Sequence, residues 1–91
     1  MKIHSSRRIG EVVRFHRRRS GMSQHELADL AGIGKTSVFD IEKGKPTVRL
    51  ATLMAALHVL NIELRLDGPL MAECSATISA RCQEPGEDSE R

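Results

Sequence analysis

The stretch MSQHELADLAGIGKTSVFDIEKG, Met22 to Gly44, decides how the rest of the chain is read. Ser23 is a strong N-cap, and Glu26 three residues later completes a capping-box pattern, so a helix begins here. Leu27, Ala28 and Ala31 then fall on one face of that helix. Gly32 interrupts the run where a left-handed residue turns the chain without a Cβ penalty, and Ile33 is the apolar plug of the turn. A second helix starts near Gly34 or Lys35 and stops at Gly44, with Val38 and Ile41 spaced three apart and facing inward. Two short helices joined by a tight turn, the second offering its outer face to a partner, have the spacing of a helix-turn-helix.

The same residues carry a family resemblance. The order S-Q, L-A, G-I and V-x-x-I-E-x-G resembles the lambda-repressor-like (Xre-type) family. Ser23, Gln24, Leu27, Ala28, Gly32, Ile33, Val38, Ile41, Glu42 and Gly44 all match in register. The resemblance implies a DNA-binding domain. It also implies roles for two side chains. An arginine at the position of Arg17 pairs with the glutamate at the position of Glu42 in this family, tying the first helix to the end of the third. Beside the DNA backbone that guanidinium is also aimed at phosphate. The family uses the glutamine at Gln24 on phosphate as well, and the residue's own position agrees. At the first turn of a helix, its amide and the free backbone N–H groups can bind a phosphate oxygen.

Charge divides the 91 residues unevenly, although the formal net charge is only +2. Residues 1–50 hold eleven Lys or Arg against five Asp or Glu, and residues 51–91 hold three against seven. A basic front half that contains the helix pair fits a polyanion; the acidic back half does not. The length sets an upper limit of one small domain with a modest core, which makes dimerisation a natural supplement. No apolar run reaches the length of a membrane span or a signal h-region, so a cytoplasmic protein associated with the nucleoid through DNA, with no membrane partner, is expected. Cys74 and Cys82 lie outside the expected core and are read as reduced thiols in a mobile tail. His4, His16, His25 and His58 are scattered without ligand spacing, so no metal and no cofactor is expected. No set of side chains forms a credible acid, base and nucleophile, which argues against an enzyme. The run GIGKTS imitates the end of a phosphate-binding loop, but Asp29 stands where its first glycine belongs and a helix, not a strand, precedes it.

Residues 1–5 are expected to form a flexible arm. From Ser6 to Arg19, Ile9, Val12, Val13 and His16 recur at helical spacing, with Arg7, Arg8, Arg14, Arg17, Arg18 and Arg19 on the other faces. For Arg8, Arg14 and Arg18 a solvated surface and a DNA-facing role are equally open. In the second helix of the motif, at 100° per residue, Thr36, Asp40 and Lys43 lie opposite the core, Lys35 lies at the N-terminal end and Phe39 flanks the outer face. Lys35 is suited to guanine O6/N7, Thr36 to a base edge or a thymine methyl, Phe39 to thymine methyls and Asp40 to cytosine N4. Asp40 is equally readable as a side chain held by Lys43 or Thr36. Lys43 and Lys45 are placed for phosphate; for Lys45 and Arg49 a solvated loop is the alternative.

After the proline-containing segment Lys45–Val48, Leu50, Leu53, Met54, Leu57 and Leu60 give a fourth helical period, with Met54 read as core. Near Asn61 the period switches to two. Ile62, Leu64 and Leu66 alternate with Glu63, Arg65 and Asp67 up to Gly68-Pro69, the pattern of a half-buried strand. A lone strand is completed by the same strand of a second copy, so Ile62, Leu64 and Leu66 are expected to dimerise the chain.

Arg49 to Leu66 resembles the HipB-type antitoxins, an Xre-like branch that ends in a dimerising strand. That resemblance implies a homodimer on a palindromic double-stranded operator, repression of its own operon and binding to a HipA-like kinase toxin. The expected architecture is mainly α: a lambda-repressor-like bundle of four helices over residues 6–67 with one C-terminal β-strand, then a flexible tail over 68–91. Residues 68–91 are rich in Gly, Pro, Ser and Glu; the end QEPGEDSER is expected to be mobile, and for LMAECSATIS, Leu70 to Ser79, local ordering on a partner is open. A stand-alone Xre-type regulator without a toxin, and a small protein-binding adaptor, are the alternative functions.

Overall fold

The computed structural model describes residues 1–81. It forms α1 (Ser6–Arg19), α2 (Gln24–Ala31), α3 (Lys35–Lys43), α4 (Leu50–Val59) and α5 (Met71–Arg81). The chain is mainly α-helical, and α3 sits at the centre, packed on α1, α2 and α4, while α2 also packs on α4. Val13, Leu27, Ala28, Val38, Ile41, Ala56, Leu57 and Leu60 form the buried core where these helices meet.

Helices α1 to α4 all end in the same way, and the ending explains how a short chain closes a bundle. Gly21, Gly32, Gly44 and Asn61 each adopt positive φ, between 59° and 80°. At each end the following residue's N–H bonds back to a carbonyl five residues earlier: Met22 to Arg17, Ile33 to Ala28, Lys45 to Asp40 and Ile62 to Leu57, at 2.9–3.1 Å. This Schellman geometry satisfies carbonyls that the helix leaves open and sends the next side chain back over the helix. Met22, Ile33 and Ile62 therefore pack against the core. The fourth such residue is Lys45, which is exposed.

Close approach of α1 to α3 depends on two glycines. A Cβ on Gly10 would collide with the carbonyl oxygens of Ile41 and Glu42, and one on Gly44 would lie 2.5 Å from Arg7 Cα. Ser6 Oγ donates to Gly44 O at 2.7 Å across the same contact. The N-terminal end of α1 is thereby held against the C-terminal end of α3.

One expectation from the sequence changes here, that for Met54, and the C-terminal strand is not confirmed. Met54 is 49% exposed, because α4 packs through Ala56, Leu57 and Leu60, and Met54 is turned about 100° around the helix from Leu53. Residues 62–68 belong to no helix and to no strand among the described residues. A strand is defined by its pairing, and the described residues provide no second edge for Ile62–Leu66. Ile62 packs against the core, whereas Leu64 and Leu66 are exposed, and Arg65 Nη2 reaches Glu63 Oε1 at 2.9 Å from two residues away. Finally, the segment read as a tail contains α5. No apolar period announces it in MAECSATISAR, and its residues from Ala72 to Ala80 are exposed. Cys74 is an exposed free thiol in α5; Cys82 and the QEPGEDSER segment lie outside the described residues. No helix is long and apolar enough to cross a membrane among those residues.

Candidate nucleic-acid interface

The N-terminus of α2 is built first from its cap. Ser23 Oγ accepts from Glu26 N at 3.0 Å and Glu26 Oε1 accepts from Ser23 N at 2.8 Å, which closes the capping box read in the sequence. Beside it lies a buried ion pair. Arg17 Nε donates to Glu42 Oε2 at 2.5 Å and Nη2 to Oε1 at 3.1 Å, while Nη1 donates to Met22 O at 2.7 Å. The two side chains are only 10% and 5% exposed. A guanidinium and a carboxylate removed from water are tolerated because the contact is forked and a backbone carbonyl takes a further donor.

This pair has a consequence at the helix end. Glu42 Oε1 also accepts from Gln24 Nε2 at 3.2 Å. One carboxylate in the last turn of α3 thus fixes both the arginine of α1 and the first-turn glutamine of α2. The tie between Arg17 and Glu42 implied by the family resemblance is present in full. The bond to Gln24 was not foreseen, because it depends on how α2 and α3 cross. Arg17 itself presents little surface, with Nε, Nη1 and Nη2 each already donating within the chain.

Helix α3 presents the second part of the surface. Its N-cap is Gly34, which makes no side-chain bond to the helix; Ser37 N donates to Gly34 O at 3.0 Å, and the N–H groups of Lys35 and Thr36 are left for solvent or a ligand. Lys35 and Thr36 are exposed at this end, and Phe39 is 47% exposed one turn later. Lys43 Nζ lies 5.2 Å from the centre of the Phe39 ring, a cation–π contact that holds the ammonium along the outer face. Val38 and Ile41 are buried on the opposite side, as their spacing indicates.

Asp40 is held by neither Lys43 nor Thr36. Its Oδ2 lies 3.7 Å from Lys45 Nζ. The cause is the helix ending: Gly44 in the left-handed conformation returns Lys45 N to Asp40 O, and the lysine side chain follows it over the acid. The ion-pair partner of Asp40 therefore lies outside its own helix. The signal in the sequence was the five-residue step across Gly44, which the other helix ends share. Lys35, Thr36, Phe39, Asp40, Lys43 and Lys45 thus share the outer side of α3 and its ending, with Gln24 at the adjoining end of α2; Ile62, Leu64 and Leu66 belong to a separate segment after α4.

Comparison with known proteins agrees with this arrangement. The helix-turn-helix family model matches residues 13–66. An uncharacterized HTH-type transcriptional regulator, y4mF of Sinorhizobium fredii (strain NBRC 101917 / NGR234), is 32% identical over 68 residues, 75% of this chain and 90% of that protein. Among solved structures, a HipB-O4 20mer complex and a HipA-HipB-O2-O3 complex are each similar with a TM-score of 0.69 at 25% identity. Each likeness covers 76% of this chain and 97% of the other. With the capped α2, the exposed α3 and the Arg17–Glu42 tie in place, the chain belongs to the Xre-like helix-turn-helix family of DNA-binding transcriptional regulators, with HipB proteins among its structural neighbours.

Proposed function

We propose that this chain is a homodimeric, sequence-specific repressor that acts as the antitoxin of a HipBA-type pair, repressing its own operon and binding a HipA-like kinase toxin. The observation that carries the DNA reading is the outer face of α3, where Lys35, Thr36 and Phe39 stand exposed above a fully buried inner face. In this reading α3 enters the major groove, and Lys35, Thr36, Phe39 and Asp40 contact base edges. Gln24, Lys43 and Lys45 contact phosphate, and Arg17 acts at phosphate through the glutamine that Glu42 orients. Lys45 has two roles, since an ammonium drawn to phosphate releases Asp40 to accept from cytosine N4.

The dimer and toxin parts rest on different support. Leu64 and Leu66 are 51% and 77% exposed on an unpaired segment, apolar surface that a second copy covers by pairing Ile62–Leu66 with itself. Kinase binding rests on the likeness to the HipA-HipB-O2-O3 complex. The y4mF likeness, to a protein named only as a regulator, favours the second reading, a stand-alone regulator.

The test uses duplex from upstream of the chain's own coding region and a scrambled duplex of equal length. Lys35→Ala and Thr36→Ala each weaken binding to the upstream duplex by about 1–3 kcal/mol and leave the scrambled duplex almost unaffected. Equal losses on both duplexes would make these residues backbone contacts. Co-purification with the product of a neighbouring kinase-like reading frame separates the antitoxin from the stand-alone regulator.

A further inference from the structure

We propose that Arg7, Arg14 and Arg18 form a second phosphate-binding surface along α1, which grips the backbone of the same duplex on the flank of the half-site that α3 reads. The inference rests on the DNA-binding reading above. At 100° per residue the three positions fall within about 40° of one another, so they make one stripe. All three side chains are exposed. The other exposed arginines of the helix are engaged: Arg8 Nε lies 3.5 Å from Glu11 Oε1, and Arg19 lies over the Phe15 ring at 5.3 Å. None of the stripe arginines has a carboxylate within 4.0 Å among the described residues. Arg14 and Arg18, four apart on the helix, repel one another, and an external polyanion removes that repulsion.

The two ends of the stripe are anchored beside the proposed phosphate contacts. Arg18 follows Arg17, whose Nη1 reaches Met22 O just before α2, where Gln24 stands. Arg7 lies against Gly44, the residue before Lys45. From Arg7 to Arg18 the helix rises about 16 Å. One strand of B-DNA places a phosphate every ~3.4 Å along the axis, so that length spans about five of them. Three guanidinium groups thus find partners without bending the duplex. An acidic protein segment would also satisfy the charges, but the stripe's position between two phosphate contacts favours DNA.

The experiment compares three chains on a 40-base-pair upstream duplex, with circular dichroism confirming the helical fold of each. They are the unmodified chain, Arg7→Gln/Arg14→Gln/Arg18→Gln, and a charge-matched control, Arg8→Gln/Arg19→Gln/Arg65→Gln. Three phosphates contribute about 2.7 to the slope of log K against log salt for each bound protomer. The stripe variant should show a slope lower by that amount, a loss of about 40-fold in salt sensitivity between 50 and 200 mM salt per protomer, while the control keeps its slope. A stripe variant with an unchanged slope overturns the proposal and leaves DNA binding through α3 intact, as does an equal fall in the control. An unmodified chain that binds neither this duplex nor a scrambled one overturns the DNA reading itself, and the stripe with it.

Discussion

In residues 6–62 each helix is closed by a left-handed cap and buries one face against a neighbour, whereas residues 63–81 contain a helix that is exposed almost along its length. The two regions have comparable apolar content to offer. In the first, Leu27, Val13 and Val38 are fully buried; in the second, Leu64, Leu66, Leu70 and Ile78 are all more than half exposed. An eleven-residue helix such as α5 is marginal by itself in water, so its stability depends on what covers it. The first region holds itself together and positions α3. The second adds apolar surface outside that core, which suits association better than internal packing.

The contrast can be broken from either side. The largest effect is expected from Arg17→Ala. It leaves Glu42 buried without its cation, which costs about 3–5 kcal/mol for a pair this enclosed. The bond from Gln24 Nε2 to Glu42 Oε1 is then the carboxylate's remaining side-chain contact. Denaturant unfolding should show the loss, and a change below about 1 kcal/mol would mean that water replaces the guanidinium. Gly10→Ala comes next. Its Cβ meets backbone oxygens of Ile41 and Glu42, which cannot rotate away, so α1 and α3 must separate at a cost of about 1–3 kcal/mol. An unchanged melting temperature would show that the α1–α3 contact is looser than described.

The smallest effect on the bundle should come from the second region. Leu64→Pro removes a backbone donor from the proposed strand pairing and touches neither the core nor α3. Its unfolding free energy, measured in dilute samples, should stay within about 0.5 kcal/mol of the unmodified chain. Sedimentation should nevertheless report monomers. A stable dimer would mean that the copies meet elsewhere, with the exposed Leu50 and Met54 of α4 as the first surface to test.

The sequence by itself determined the elements of residues 6–62. Caps, left-handed glycines and the 3.6-residue period are local, and each acts within a few residues of its own position. Ser23, Gly32 and Gly44 therefore marked the boundaries of α2 and α3 directly. The same local logic placed Lys35, Thr36 and Phe39 on the outer face of α3. Where local signals were silent or shared, tertiary structure decided. Met54 and Leu53 are both apolar, and only the packing of α4 on α2 and α3 leaves Met54 outward while Leu53 meets the core. The bond from Gln24 to Glu42 joins residues eighteen apart, and Lys45 reaches Asp40 only because the chain reverses at Gly44. A strand at Ile62–Leu66 needs a partner edge, which periodicity can suggest but the described residues do not provide. Local preference costs or gains free energy residue by residue, while packing angles and pairings depend on which surfaces meet, and that information exists only in the folded chain or its assembly.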